Sequence, residues 1–297
     1  MQNFSKIITL KNGYHLWSHT QGKGNSIKII TVHGGPGETN EVFENFDNYL
    51  VPNDIEVTRY DQLGSYYSDQ PDFSEPSIAK KFLNIDYFVN ELEEVRSNLN
   101  YEKFILVGHS WGAMIAQEYA LRFQDKLKGL VIISMTSKDS DYTDSLIKLR
   151  EQILTPEENK YVIDQINKEA FNDEKYQELI SKMFTSYFYQ YDVPRVKHLV
   201  DTSNHQLAFY MQGQNPFKTT GPLAGWNIEK QVSKIKVPTY LSFGEQDLFP
   251  KEKIDLIHHN ITNSELSITP GGTHVHIREF PEFFFDNLIK WIRKNIS

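Results

Sequence analysis

The 297-residue sequence contains no cysteine, and this absence excludes several kinds of chemistry at once. Without thiols the chain has no disulfide, no thiolate nucleophile and no cysteine-ligated zinc or iron–sulfur site. No apolar run approaches the ~20 residues that cross a bilayer, and the first twelve residues lack the apolar core of a signal peptide. We therefore expect a cytoplasmic protein without a membrane span.

Basic residues are scarce relative to acidic ones. Lys and Arg total 31 against 39 Asp and Glu, which gives a formal net charge of −8. Because an acidic chain without a basic cluster has little attraction for a polyanion, we expect no nucleic-acid partner. Hydrophobic residues make up 39% of the chain, enough for a packed core, and the expected partner is a small-molecule substrate.

Short apolar runs alternate with amphipathic helical patterns along most of the chain. Asn12-Gly13 indicates a tight hairpin between the first two runs, and helical patterns occupy 84–99 and 111–123. This alternation predicts a largely parallel sheet with helices on both faces. The predicted strands are 6–10, 14–18, 27–32, 55–60, 104–107, 130–134, 239–243 and 265–268.

One interval breaks the alternation. Residues 137–225 are typical of successive charged helices without a buried strand. We predict an α/β core formed by 1–136 and 226–297, with a helical cap at 137–225. An aromatic stripe within the cap suits packing against the core and would also roof a bound apolar group; its members are Met183, Phe184, Tyr187, Phe188 and Tyr191.

The run Gly108-His109-Ser110-Trp111-Gly112 lies between a predicted strand and a predicted helix. Small residues around a serine permit a sharp strand-to-helix turn that projects its hydroxyl. The helix start behind the serine supplies free N–H groups and the positive end of a dipole. This context predicts that Ser110 is a nucleophile.

A second glycine-rich run, HGGPG at 33–37, directly follows the strand at 27–32. Such a turn lets backbone N–H groups face a developing oxyanion. A phosphate-binding loop is the competing interpretation, but neither G-x-x-x-x-G-K-[ST] nor G-x-G-x-x-G occurs here. His33 itself is expected to be a structural hydrogen-bonding residue of this loop.

A nucleophilic serine needs a base and a residue that orients the base. In this architecture they follow in the order Ser, then Asp or Glu, then His, each after a late strand. Glu245 and Asp247 follow the strand at 239–243, and His274 and His276 follow the strand at 265–268. Asp247 and His274 are favoured, with the other two as alternatives.

Over nearly its whole length the sequence resembles the proline iminopeptidase branch of the α/β-hydrolase superfamily. The resemblance implies an α/β-hydrolase fold, with a mostly parallel eight-stranded sheet and a helical cap. It also implies His274 rather than His276 as the base, and an oxyanion hole formed by the N–H groups of Gly35 and Trp111. It rests on 33–37, DQLGS at 61–65, 108–112, Asp247 and the spacing from His274 to Glu279-Phe280-Pro281 and Phe284.

The sequence departs from the family pattern at four positions. The family loop reads Asp-Gln-Arg-Gly-x-Gly-x-Ser, and here Leu63 replaces the arginine and Tyr66 the second glycine, so an internal ion pair is lost. Family aminopeptidases hold the substrate's free amino terminus with acidic residues. The corresponding positions here are Pro216 and Leu248, and a buried cationic amine without a carboxylate is costly.

We therefore predict a serine hydrolase that cleaves a carboxylic ester or lactone, for example a bulky macrolide, through an acyl-enzyme on Ser110. One alternative is a proline iminopeptidase-type aminopeptidase that releases N-terminal proline from short peptides. Another is a non-catalytic binding protein on a hydrolase fold, against which the complete Ser–Asp–His set argues. No cofactor is expected, and no metal, because His258-His259 and the His274/His276 pair lack an acidic partner at ligand spacing.

Overall fold

The structure is a computed structural model that describes residues 2–187 and 193–296. Its eight strands are β1 (Gln2–Thr9), β2 (His15–Lys23), β3 (Ile27–Val32), β4 (Ile55–Tyr60), β5 (Phe104–His109), β6 (Leu127–Ile133), β7 (Thr239–Gly244) and β8 (Ser264–Thr269). They form one sheet in the order β1-β2-β4-β3-β5-β6-β7-β8. β2 is antiparallel to β1 and β4, and every other pair is parallel. The predicted mostly parallel eight-stranded sheet is confirmed.

Helices lie on both faces of this sheet. They are α1 (Phe46–Leu50), α2 (Pro76–Phe82), α3 (Ile85–Leu99), α4 (Trp111–Phe123), α5 (Asp139–Ile153), α6 (Pro156–Asn167), α7 (Glu174–Tyr187), α8 (Val193–Thr202), α9 (His205–Gln212), α10 (Lys251–Asn260), α11 (His276–Glu279) and α12 (Pro281–Asn295). Among these helices, none combines the length and the apolarity that crossing a membrane requires.

Two hydrophobic clusters fill the space between sheet and helices. Because side chains alternate along a strand, Ile29 and Ile30 of β3 belong to opposite clusters. Ile30 packs in the cluster that contains α3, α4 and α10, and Ile29 in the cluster that contains α1 and α12. The parallel strands β3 to β7 are therefore buried between helices, and the carboxyl ends of the parallel strands meet at one edge of the sheet.

The segment α5–α9 lies between β6 and β7 in the chain. Helices α5, α6 and α7 share a small core that includes Leu146, Val162 and Met183. Of the predicted aromatic stripe, Met183 is buried there, whereas Phe188, Tyr191 and the side chain of Tyr187 lie outside the described residues. The division into core and cap stays a prediction.

A buried acid lies on α3 beneath the loop at 61–65. Glu91 is 2% exposed and accepts a hydrogen bond from the Leu63 N–H at 3.1 Å. Its other oxygen has no hydrogen-bond partner among the described residues. Burial raises the pKa of Glu91 to about 8. An arginine at position 63 would place a positive charge beside this carboxyl, and the leucine does not.

Replacing Glu91 with glutamine is expected to flatten the dependence of stability on pH. Since the folded-state pKa lies above the ordinary value of 4.5, the contribution of Glu91 to the unfolding free energy is fully present below pH 4.5. It is lost as the pH rises through about 8. A shift of this size corresponds to a loss of about 4 to 5 kcal/mol at most.

Urea denaturation at pH 5 and at pH 9 measures this effect. We expect the glutamine variant to exceed the unmodified protein in stability at pH 9 and to match it closely at pH 5. Glu102→Gln, which removes an exposed carboxylate, should keep the original pH dependence. If the Glu91→Gln variant and the unmodified protein lose the same amount of stability between pH 5 and pH 9, Glu91 does not titrate as described.

Candidate active site

Ser110 occupies the sharp turn between β5 and α4. Its backbone has φ 52° and ψ −120°, a conformation that side chains other than glycine rarely adopt. The turn is so tight that a Cβ on Gly112 would lie 2.0 Å from the carbonyl oxygen of Val32. Glycine at this position therefore lets α4 pack against β3 while the serine stands at the carboxyl edge of the sheet.

His274 and Asp247 are brought together from the loops after β8 and β7. The His274 Nδ1 lies 3.0 Å from Asp247 Oδ1, and both side chains are at most 1% exposed. Burial would raise the pKa of Asp247, but the charge and hydrogen bond of His274 lower it below the ordinary value. The Leu248 N–H also donates to Oδ1 at 2.7 Å, so the ionised carboxylate is held in one orientation.

The two alternative residues lie in other surroundings. Glu245 is exposed and accepts a hydrogen bond from the Gly271 N–H at 2.8 Å. The buried ring of His276 lies 2.8 Å from the Ser242 hydroxyl through Nε2 and 3.2 Å from the Thr273 carbonyl oxygen through Nδ1. Burial lowers the pKa of His276 to about 4. Both ring nitrogens of His276 are thus engaged by the protein itself.

A cavity of about 480 Å³ opens at this edge of the sheet. Ser110, His274, Gly35 and Trp111 all line it, and Asp247 lies behind His274. The structure therefore gathers the five predicted site residues around one cavity. Its remaining walls include apolar side chains such as Met114, Met135 and Phe184, which exclude water from a bound substrate.

The two predicted oxyanion donors come from separate loops. Gly35 has φ +113°, and a Cβ there would lie 2.7 Å from the backbone nitrogens of Gly37 and Glu38, so only glycine fits this turn. Trp111 is the first residue of α4, where a backbone N–H has no partner within the helix. In the described part of the chain, no acceptor takes the N–H of Gly35 or Trp111.

A hydrogen-bonded network joins these two loops, and its central residue was not singled out from the sequence. Gln62 accepts a hydrogen bond from the Trp111 indole Nε1 at 2.9 Å and donates its amide to the His33 carbonyl oxygen at 3.0 Å. Its own N–H donates to His33 Nε2 at 3.1 Å. His33 is fully buried and serves as the structural residue that the sequence predicts. Gln62 thus links the loop that carries Gly35 to the loop that carries Trp111.

The α8–α9 junction fixes the same loop from the other side. The Asn204 N–H donates to the Gly37 carbonyl oxygen at 2.8 Å, and the Asn204 amide donates to the Gly64 carbonyl oxygen at 2.9 Å. Gln212 donates to the Gly35 carbonyl oxygen at 3.3 Å. The loop at 33–37 is therefore held between the sheet and the α5–α9 segment. No sequence motif marks Asn204 or Gln212.

Two carboxylic acids line the cavity, and neither was predicted from the sequence. Glu38 follows the HGGPG run, and Asp139 begins α5. Burial raises the pKa of each. Neither Pro216 nor Leu248 is among the described residues that line the cavity; Leu248 packs instead against the small core of α5–α7.

Comparison with known proteins places this geometry in a class. A family model described as the alpha/beta hydrolase fold matches residues 28–279. The proline iminopeptidases of Flavobacterium johnsoniae and Elizabethkingia meningoseptica are each 30% identical to this chain, over 96% and 97% of it and 96% of each relative. The crystal structure of a proline iminopeptidase from Mycobacterium smegmatis, 20% identical, matches with a TM-score of 0.86 over 98% of both chains.

The chain belongs to the α/β-hydrolase family, and within it to the proline iminopeptidase-like branch. The fold and the family resemblance predicted from the sequence are confirmed, and so is the prediction of an enzyme of the α/β-hydrolase type. The solved structure, at 20% identity, supports the fold alone.

The prediction of ester or lactone hydrolysis, with a macrolide as an example, is wrong. Four curated relatives that match over 96% to 98% of the chain are named proline iminopeptidase. The prediction rested on the absence of a carboxylate at Pro216 and Leu248 and on the aromatic residues of the cap. The absence of a carboxylate at two positions does not remove acids from the cavity, because Glu38 and Asp139 line it from other segments.

Proposed function

We propose that this protein is an aminopeptidase that releases N-terminal proline from short peptides. The observation that carries the proposal is the match at 30% identity, along almost the full length of both chains, to proteins named proline iminopeptidase. The cavity supports it, because a nucleophile candidate, an imidazole paired with a carboxylate and two carboxylic acids converge there. The cytoplasmic location stays a prediction from the sequence.

In the proposed reaction, the Ser110 hydroxyl attacks the carbonyl carbon of the N-terminal proline. His274 takes the hydroxyl proton, while Asp247 holds the imidazole tautomer and stabilises the imidazolium. The negative charge that develops on the carbonyl oxygen is received by the N–H groups of Gly35 and Trp111. One such donor typically contributes about 3 to 4 kcal/mol to transition-state stabilisation.

Collapse of the tetrahedral intermediate breaks the peptide C–N bond. His274 gives its proton to the leaving amine, and the shortened peptide departs. A water molecule, deprotonated by His274, then attacks the prolyl ester on Ser110, and proline is released as the hydroxyl is restored. Every proton transfer in this series of reaction steps uses a side chain of the protein itself.

Hydrolysis of proline p-nitroanilide, compared with that of p-nitrophenyl acetate and of alanine p-nitroanilide, tests this proposal. We expect kcat/KM to be highest for the proline amide, because the apolar walls of the cavity suit a pyrrolidine ring. A matched N-acetyl-proline p-nitroanilide serves as the control for the free amino terminus. Turnover of the ester with none of the proline amide would contradict the proposal.

A further inference from the structure

We propose that Glu38 binds the positively charged imino nitrogen of the substrate's N-terminal proline. The proposal rests on the proposed aminopeptidase function and names the group that recognises the free amino terminus. It assigns this task to the loop that follows the HGGPG run rather than to positions 216 and 248, where the chain has Pro216 and Leu248.

The position of Glu38 relative to the nucleophile is the first argument. A Cβ built on Gly34 would lie 3.0 Å from Glu38 Oε2 and 3.4 Å from the Ser110 Cβ. The carboxylate and the nucleophile therefore flank the same glycine and face the same cavity. In an N-terminal residue the amine is only two bonds from the scissile carbonyl carbon, so its acceptor must lie this close to the serine.

The second argument is that the carboxylate of Glu38 is available. Across residues 2–187 and 193–296, the structure shows no hydrogen bond or ion pair to this carboxylate, although neighbouring Glu41 pairs with His198 at 3.0 Å. Burial raises the pKa of Glu38, and the charge of His274 partly opposes this rise. A bound cation would favour the ionised form in the same way and would supply the missing partner.

The third argument comes from the charge that the reaction creates. An oxyanion develops beside Gly35, three residues before Glu38, and an uncompensated carboxylate there would repel it. A substrate cation bound to Glu38 neutralises the carboxylate. Glu38 therefore favours substrates with a free amine over neutral substrates in two ways. It attracts the charged amine, and the bound amine removes the repulsion between the Glu38 carboxylate and the oxyanion.

Asp139 is the other acid in the cavity, and it is less suited to the task. Its Oδ1 already accepts a hydrogen bond from the Thr219 hydroxyl at 3.0 Å. Asp139→Asn is therefore the variant that separates a specific role of Glu38 from a general effect of negative charge in the cavity.

Binding of L-prolinamide and of N-acetyl-L-prolinamide, measured by calorimetry on Ser110→Ala protein, tests the proposal without turnover. We expect the charged ligand to bind more tightly, and Glu38→Gln to weaken its binding by about 100-fold to 1,000-fold, as expected when one partner of a buried charge pair is lost. Binding of the acetylated ligand should change little. Asp139→Asn should retain most of the preference for the charged ligand.

Kinetics provide the second measurement. Glu38→Gln should reduce kcat/KM for proline p-nitroanilide by a similar factor, and should reduce kcat/KM for p-nitrophenyl acetate, which has no amine, far less. The proposal would be overturned if Ser110→Ala protein with Glu38 intact showed no preference for prolinamide. It would also be overturned if the preference survived Glu38→Gln, or if it disappeared in Asp139→Asn instead. If Glu38-dependent binding of prolinamide occurs but no proline amide is hydrolysed, the proposed function fails while the binding site stands.

Discussion

Replacing Ser110 with alanine is expected to lower kcat for proline p-nitroanilide by about 10⁴-fold to 10⁶-fold. The loss follows because the acyl-enzyme cannot form, and only the oxyanion donors and the cavity remain to assist attack by water. Steady-state assays at high enzyme concentration measure the residual rate, and a fluorophosphonate probe should label the unmodified protein but not the variant. Retention of more than a few per cent of the activity would refute Ser110 as the nucleophile.

A second substitution at the same position separates catalysis from stability. Ser110→Gly should be as inactive as Ser110→Ala, but glycine adopts φ 52° and ψ −120° without strain. We therefore expect the glycine variant to be more stable than the alanine variant by about 1 to 3 kcal/mol. Thermal unfolding of both variants at one pH measures the difference. Equal stabilities would indicate that the turn stores no strain.

Strand positions could be predicted from the sequence where apolar residues mark them, and less well elsewhere. β2 was predicted at 14–18 but extends to Lys23. The missing part buries polar residues: the hydroxyl groups of Thr20 and Thr58 lie 2.8 Å apart inside the sheet. A hydrophobicity pattern cannot detect a strand whose inward side chains are satisfied by hydrogen bonds across the sheet.

The candidate site could be predicted to the extent that local sequence determines it. A tight turn such as the one at Ser110 needs particular residues at fixed spacing, so 108–112 and 33–37 were evident in the sequence. The roles of Gln62, Asn204 and Glu38 were not evident, although Gln62 belongs to the run at 61–65, because these roles depend on which distant loops meet the three residues. The substrate prediction depended on two positions in the chain and on an aromatic stripe, and none of these identifies the acids that other segments bring to the cavity wall.

Replacing Asp247 with alanine is expected to lower kcat for proline p-nitroanilide by about 10⁴-fold, since His274 loses the group that orients it and stabilises its charged form. Asp247→Asn should lower kcat less than Asp247→Ala does, provided that the asparagine avoids the wrong imidazole tautomer that makes such a change harmful in other triads. The Leu248 N–H donates to Oδ1, so it keeps the amide oxygen of asparagine facing His274 and preserves the productive tautomer. What asparagine removes is the negative charge.

Glu245→Gln is the matched control for these two variants. It removes a carboxylate from the same loop, but one that is exposed and bonded to the Gly271 N–H, an interaction that the glutamine oxygen can keep. We expect its kcat to remain within a few-fold of the original value. A loss of activity in Glu245→Gln comparable to that in Asp247→Ala would assign the orienting role to Glu245. Equal losses in Asp247→Asn and Asp247→Ala would contradict this expectation, because asparagine would then fail to preserve the productive tautomer or the charge alone would account for the contribution of Asp247.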